Sequence, residues 1–380
     1  MKGLSIALLI CMVLTMFPVS AGAVDMQLPA KSALLMDMST GMVLYEQNAH
    51  EKLPPASVTK VMTMLLIMEA IDAGKIGWND SVIASESAAA KGGSQVYLKV
   101  GESMTVTDMV KSIAVSSAND CACAMAEHIA GSEAAFVDMM NARAMQLGMN
   151  DTHFVNCTGL DDDPAAAEHL TSAYDIALMS RELMKNHPDI QKFTTIWMDT
   201  IRNGTFGLSN TNKLVRFYPG ATGLKTGFTS AAGYCLSATA KRDGLNLVAV
   251  VMGSATSKER FGACTQLLDY GFANFAAVAP EIAPQSIPVK LGTADFAKAV
   301  PAQQPQLLVD KSQRDQVRTE LQMEEVVSAP VSKGQRLGTL SIKVGEQTIA
   351  QVPMIAEEAV PRLSWSDLFK LVLGRLAMSK

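Results

Sequence analysis

Pro54-Pro55-Ala56-Ser57-Val58-Thr59-Lys60, followed at once by a largely apolar run from Val61 to Ala73, is the stretch that organises this chain of 380 residues. The run predicts a helix, and the two prolines end whatever precedes it. Ser57 is a residue type that starts helices. Lys60 lies three positions on, so the two side chains share one face, about a turn apart. A hydroxyl beside an amine at a helix start is a nucleophile–base arrangement. To act as a base near neutrality the amine must fall from roughly 10.4 to roughly 7, a differential interaction of about 4–5 kcal/mol. The helix dipole supplies only about 1 kcal/mol, so desolvation or a second cation must provide the rest. Ser-x-x-Lys alone is a weak signal: a helix cap followed by an exposed lysine has the same residues, and about one chance match is expected in a chain of this size. Two later stretches decide the matter.

The length allows two or three domains, and the composition is that of a globular protein. The formal charge of −5 gives nucleic acid no electrostatic footprint. Residues 1–23 read as an export signal: Lys2, an apolar stretch from Leu4 to Phe17, Pro18, then the small-residue site Ala21-Gly22-Ala23. That stretch is short for a membrane span. Cleavage near Ala23 would remove Cys11 and leave Cys121, Cys123, Cys157, Cys235 and Cys264. An odd number without Cys-x-x-Cys argues against a disulfide framework or a zinc site and for buried free thiols.

Ala33 to Met38 and Met42 to Glu46 flank Ser39-Thr40-Gly41, a hairpin signal that leads into the Ser57 helix. After a short strand at Val82-Ile83, Ser85 to Glu102 reads as a loop, either bordering a cleft or simply connecting. Helical patterns over Thr107–Ala114, Cys121–Ile129 and Glu133–Leu147 follow, so Ser117 and Asn119 fall on a turn between two helices. Both also suit helix caps. The acidic run Asp161-Asp162-Asp163 lacks the order of a calcium loop and reads as a solvated turn. His153 and His169 have no spacing that pairs them as ligands. A helix spans Thr171 to Lys185. The third key stretch is Gly220 to Thr229, containing Lys225-Thr226-Gly227. It precedes a hairpin, Tyr234–Ala240 and Leu245–Met252 joined by Arg242-Asp243-Gly244. Lys225-Thr226-Gly227 is therefore expected on or beside a neighbouring strand, where Gly227 lets a substrate backbone approach. Ser257 to Phe275 closes this domain as a helix. Beyond Pro280 the segments Ile287–Val289, Leu307–Val309, Val317–Leu321, Thr339–Val344 and Thr348–Val352 read as a small all-β domain. Finally Trp365, Leu368, Phe369, Val372 and Leu376 share one helical face, which fits a helix lying on a membrane surface.

Ser57-x-x-Lys60, Ser117-x-Asn119 and Lys225-Thr226-Gly227, each present once and in this order, resemble the three-part signature of penicillin-recognising serine enzymes. The wording around them, with Gly159-Leu160-Asp161-Asp162, is similar to that of the D-alanyl-D-alanine carboxypeptidases among the low-molecular-mass penicillin-binding proteins. The likeness covers nearly the whole mature chain. It implies an α+β fold: a β-lactamase/transpeptidase-like catalytic domain of antiparallel sheet and helices over residues 24–277, a small β-rich domain over 278–362, and an amphipathic anchor over 363–380.

The resemblance also implies roles. Ser57 would attack the D-Ala–D-Ala carbonyl, Lys60 would take its proton, and Ser117 would relay it to the leaving D-alanine. Asn119 would bind the substrate's amide. Lys225 and Thr226, beside Gly227, would hold the terminal carboxylate, with Lys225 also pressing Lys60 to stay neutral. Arg260 would assist the carboxylate. The backbone N–H groups of Ser57 and Phe228 would form the oxyanion hole. No metal or organic cofactor is called for. The implied partners are peptidoglycan stem peptides, β-lactams as inhibitors, and the membrane surface, on the extracytoplasmic side. Two departures stand out: Phe228, where some members have histidine, and Asp163 to Glu168, which looks like a local insertion. The competing readings are a class A-like β-lactamase and a non-catalytic wall-binding scaffold on the same fold. The lactamase needs Glu-x-x-x-Asn between Asn119 and Lys225. Only Glu182, followed four residues on by Asn186, fits, and Glu182 lies inside the predicted Thr171–Lys185 helix rather than in a loop.

Overall fold

The computed structural model describes residues 26–369. The chain divides after Ala276 into two units. The export-signal reading and most of the tail lie outside the described residues.

The first unit is built on a five-stranded sheet. Its strands are β1 (Ser32–Asp37), β2 (Val43–Gln47), β3 (Ala221–Thr229), β4 (Gly233–Arg242) and β5 (Leu245–Ser254). They run in the order β2-β1-β5-β4-β3, with every neighbouring pair antiparallel. The β4–β5 hairpin turns at Asp243 and Gly244, both at positive φ (48° and 82°), as a two-residue turn matched to strand twist requires. The sheet joins residues from the two ends of the unit, so the helices between them are a long insertion between β2 and β3.

Those helices are α1 (Lys60–Asp72), α2 (Val106–Ser116), α3 (Asn119–Ala130), α4 (Glu133–Gln146) and α5 (Ala173–Asn186). α1 is buried at every position from Lys60 to Met68. A helix apolar on all sides belongs in the middle of a core, and α1 contributes Val61, Met62, Met64, Leu65 and Ile67 to the main cluster. α6 (Ser257–Asn274) starts with a capping box formed by Thr256 and Glu259. It lies close against one face of the sheet at Gly271, where an added Cβ would meet Leu247 Cδ1 at 2.5 Å and Leu35 Cδ2 at 3.1 Å. α5 covers the opposite face, joined to β4 by the 2.8 Å hydrogen bond between Ser180 Oγ and Ser237 Oγ.

The helix expected to start at Ser57 differs in detail. Residues Ala56–Thr59 form a 3-10 turn, the α-helix begins at Lys60, and no side chain caps it. The expected Cys121–Ile129 helix starts earlier, at Asn119, so Asn119 stands in a first helical turn rather than on a loop.

The second unit carries a six-stranded sheet of β6 (Gln285–Lys290), β7 (Phe296–Pro301), β8 (Val317–Met323), β9 (Val327–Ser328), β10 (Arg336–Val344) and β11 (Gln347–Ala356), in the order β8-β10-β11-β7-β6-β9. Its own core includes Ile287, Ala299, Leu337, Leu340, Ile342, Val352 and Met354. β7 has no counterpart among the predicted segments. Its inward residues are alanines, Ala297 and Ala299, which give little β signal. No helix of the described residues is long and apolar enough to cross a membrane. Residues 365–369 are helical, with Trp365 exposed.

Candidate active site

The tight turn at Ala56–Thr59 sets the geometry of the site. Ala56 has φ +49°, a left-handed conformation unusual for a residue with a Cβ. The turn brings Ser57 Oγ to 3.0 Å from Lys60 Nζ, which also donates to the carbonyl of Thr158 at 2.7 Å. Lys60 is fully buried. Burial brings its amine down to about 7, against the opposing pull of Cys157 and Asp120. Desolvation, one of the two sources the sequence allowed, is thus the main cause of the lowered amine, while the repulsion between Lys60 and Lys225 acts on Lys225.

Ser117 caps α2 in the left-handed region at φ +66°. Asn119 is enclosed by the Ser85–Glu102 stretch. Its backbone N–H donates to Ser94 O and its Nδ2 donates to Gly92 O, both at 2.7 Å. Gly93 is needed there, because a Cβ would lie 2.8 Å from Nδ2. Asp120, next along α3, accepts from the N–H groups of Val96 and Leu98 at 3.1 and 3.0 Å. The Ser85–Glu102 stretch is therefore tied to the Ser117–Asn119 edge. Asn119 Oδ1 is buried with no hydrogen-bond partner among the described residues, an acceptor that the fold leaves open.

Lys225, Thr226 and Gly227 lie on β3. Lys225 Nζ donates to Thr226 O at 2.8 Å, and Thr226 Oγ1 to Thr211 Oγ1 at 2.6 Å. Burial, then the charges of Lys60 and Arg260, hold the Lys225 amine well below its ordinary value. A Cβ on Gly227 would come within 2.7 Å of Pro55 O and 3.1 Å of Ser57 N. The glycine thus allows the strand to approach the nucleophile's backbone. Arg260 reaches this strand through backbone carbonyls: its Nη1 donates to Gly227 O at 3.0 Å and Cys235 O at 3.3 Å. Its Nε is buried without a partner among the described residues. Phe228 is half exposed, its ring 4.3 Å from that of Tyr234.

Residues 19–256 match the family model described as D-alanyl-D-alanine carboxypeptidase, and residues 278–362 match that of the penicillin-binding protein 5 C-terminal domain. The chain belongs to the D-alanyl-D-alanine carboxypeptidase family. It is 42% identical to the D-alanyl-D-alanine carboxypeptidase DacF of Bacillus subtilis, over 98% of each chain. Penicillin-binding protein 5 of Haemophilus influenzae superposes with a TM-score of 0.75 at 30% identity, covering 90% of this chain and all of that one. Penicillin-binding protein D2 of Listeria monocytogenes, solved with ampicillin bound, matches with a TM-score of 0.60 at 32% identity, covering 66% of this chain and all of that one.

The protein is thus a serine-type D-alanyl-D-alanine carboxypeptidase on a penicillin-binding fold. The Glu182–Asn186 pair does not argue for a lactamase. The two side chains bond to each other at 2.8 Å on α5, and Glu182 receives Arg143 Nη2 at 2.6 Å. Glu69, Glu182 and His187 bring ligand-type atoms within 4.8 Å of one another, but Arg143 donates to both carboxylates and already occupies them. The Asp161–Asp163 run is exposed, and Pro164–Glu168 after it forms a 3-10 turn capped by Asp163.

Three participants were not singled out from sequence: Thr158, whose carbonyl holds Lys60; Asp120; and His169, whose Nε2 lies 2.8 Å from Thr59 Oγ1. Sequence spacing tests His169 only as a metal ligand. Thr158 and His169 are 98 and 110 residues from their partners, and only the adjoining Gly159-Leu160-Asp161 wording hinted at that loop.

Proposed function

We propose that Ser57 is the nucleophile that opens the terminal D-Ala–D-Ala peptide bond of peptidoglycan pentapeptide stems. The observation that carries this reading is the buried Lys60 amine, held near 7 and 3.0 Å from Ser57 Oγ. As Ser57 Oγ bonds to the carbonyl carbon, its proton passes to Lys60. Ser117 relays that proton to the nitrogen of the departing D-alanine, and the C–N bond breaks to leave a Ser57 ester. Lys60, neutral again, takes a proton from the water that attacks the ester carbonyl and returns it to Ser57 Oγ as the ester C–O bond breaks. The backbone N–H groups of Ser57 and Phe228 receive the oxyanion, each such donor being worth about 3–4 kcal/mol. The open Asn119 Oδ1 accepts from the substrate's amide. Lys225 and Thr226 bind the terminal carboxylate, whose charge favours protonation of Lys225. Gly227 keeps the strand open to the substrate, and Arg260 braces that strand and adds positive charge behind it. Penicillin acylates Ser57 by the same route.

The family acts on cell-wall peptidoglycan, so its members work outside the cytoplasm. Our finer reading places residues 1–23 as a cleaved signal and residues 363–380 as an amphipathic anchor on the extracytoplasmic face of the cell membrane. The domain limits 24–277 and 278–362 belong to the same reading. The test of the chemistry is intact-mass analysis after penicillin, with Ser57→Ala in parallel, followed by D-alanine release from diacetyl-Lys-D-Ala-D-Ala. An adduct on the wild type alone, with D-alanine release, is expected; release by Ser57→Ala would remove Ser57 from its role. For the tail, deletion of residues 363–380 should release the mature protein from the membrane fraction, and unchanged fractionation would rule the anchor out.

A further inference from the structure

We propose that His169, acting through Thr59, is a positioning residue that fixes the Ala56–Ser57 peptide plane and so aims the Ser57 N–H at the oxyanion. The proposal rests on the Ser57 reading above.

Three hydrogen bonds form a directed chain. The backbone N–H of Val155 donates to His169 Nδ1 at 3.1 Å. A backbone amide can only donate, so Nδ1 is the acceptor nitrogen and the ring proton sits on Nε2. Nε2–H then donates to Thr59 Oγ1 at 2.8 Å, and the Thr59 hydroxyl donates to the Ala56 carbonyl at 2.8 Å. The tautomer and the hydroxyl direction are thereby fixed from one end of the chain to the other. Thr59 is fully buried and His169 nearly so, so water does not compete for these bonds.

The peptide unit is planar and trans, so the Ala56 carbonyl and the Ser57 N–H point in opposite directions. Whatever holds the one aims the other. The hold is needed because Ala56 is in the left-handed region, at φ +49°, which an L-residue leaves unless its surroundings prevent it. Gly159 closes the other side: a Cβ there would lie 1.9 Å from Ala56 O and 2.7 Å from Thr59 Oγ1. On the cleft side, the missing side chain of Gly227 leaves open the space 3.1 Å from Ser57 N. The carbonyl is gripped, and the planar peptide sends the N–H the opposite way. The relay needs a neutral imidazole. Burial and the nearby His153 and Lys60 hold His169 down to about 4, so it stays neutral across the working range.

The test compares side chains that replace one half of the imidazole. A glutamine amide nitrogen reaches the Nε2 position, whereas an asparagine amide oxygen reaches only that of Nδ1. In the full-length mature chain, penicillin acylation is followed by stopped flow, separating the acylation rate constant from the prior non-covalent affinity, with melting temperature measured alongside. We expect His169→Gln to acylate within about fivefold of wild type, and His169→Asn and Thr59→Val to lose about 10- to 100-fold in the rate constant, with affinity little changed, as misaiming one oxyanion donor predicts. The double variant His169→Asn/Thr59→Val should lose no more than either single one. Should the histidine variants fail to fold, Thr59→Val against Thr59→Ser decides alone. Thr59→Val acylating as fast as wild type, or losses that multiply in the double variant, would overturn the proposal. A wild-type chain that forms no adduct would instead overturn the Ser57 reading.

Discussion

Burial lowers the Lys60 amine to about 7, and that has a stability side as well as a catalytic one. Its folded pKa, about 7, lies below the ordinary 10.5, so the unfolded chain binds the extra proton and the fold is penalised below pH 10.5, fully so below 7. The penalty is at most about 4–5 kcal/mol, reduced by the bonds to Ser57 and Thr158. Replacing Lys60 by methionine should therefore raise the melting temperature at pH 7 while abolishing penicillin acylation; a lower melting temperature would show that those bonds outweigh the desolvation. The acylation rate of the wild type should rise with pH through about 7 as the amine loses its proton, which a rate–pH profile reads directly. His169 carries the same sign. With its folded pKa near 4 against 6.5, stability should fall as pH drops from about 6.5 to 4, by at most about 3 kcal/mol from this group. Comparing urea midpoints of wild type and His169→Gln at both ends of that range isolates the contribution. At this scale Ser57, Lys60, Ser117 and Lys225 were legible because each motif is local. Their supports were not, because Thr158 and His169 reach them only after the chain has folded back on itself.

The elements carry the site through a few close approaches. Gly159 is the tightest: at φ +80°, with an added Cβ 1.9 Å from Ala56 O, Gly159→Ala meets both a backbone cost of about 1–2 kcal/mol and a clash that the turn must move to relieve. A loss of at least about 2 kcal/mol in urea unfolding is expected, together with slow acylation; a loss below about 1 kcal/mol would mean that the loop shifts freely. The hairpins, the central helix and the strand bearing Lys225 followed from periodicity and turn residues. The 3-10 turn at Ala56–Thr59 did not, because the local sequence favours a helix start and only the packing of Gly159 and β3 against it tightens the turn. β7 escaped notice because alanine packs inward there without a β-like side chain.

At the scale of the molecule, the two units have separate cores. The Listeria neighbour is matched over its whole length by about two thirds of this chain. Residues 26–276 expressed by themselves should fold and be acylated at a rate within about threefold of the full chain, and calorimetry of the full chain should resolve more than one transition. An insoluble or unreactive fragment would show instead that the second unit completes the first. The two-unit plan was legible from the change of texture near Pro280, whereas the strand order of either sheet was not, since pairing depends on distant partners. One further property follows from the thiols. Cys121, Cys123, Cys157, Cys235 and Cys264 are all free and fully buried, and the thiols of Cys121, Cys157, Cys235 and Cys264 are pushed away from the reactive thiolate. Folding of the described residues therefore calls for no oxidative step, and the same yield of active enzyme is expected from aerated and oxygen-free preparations.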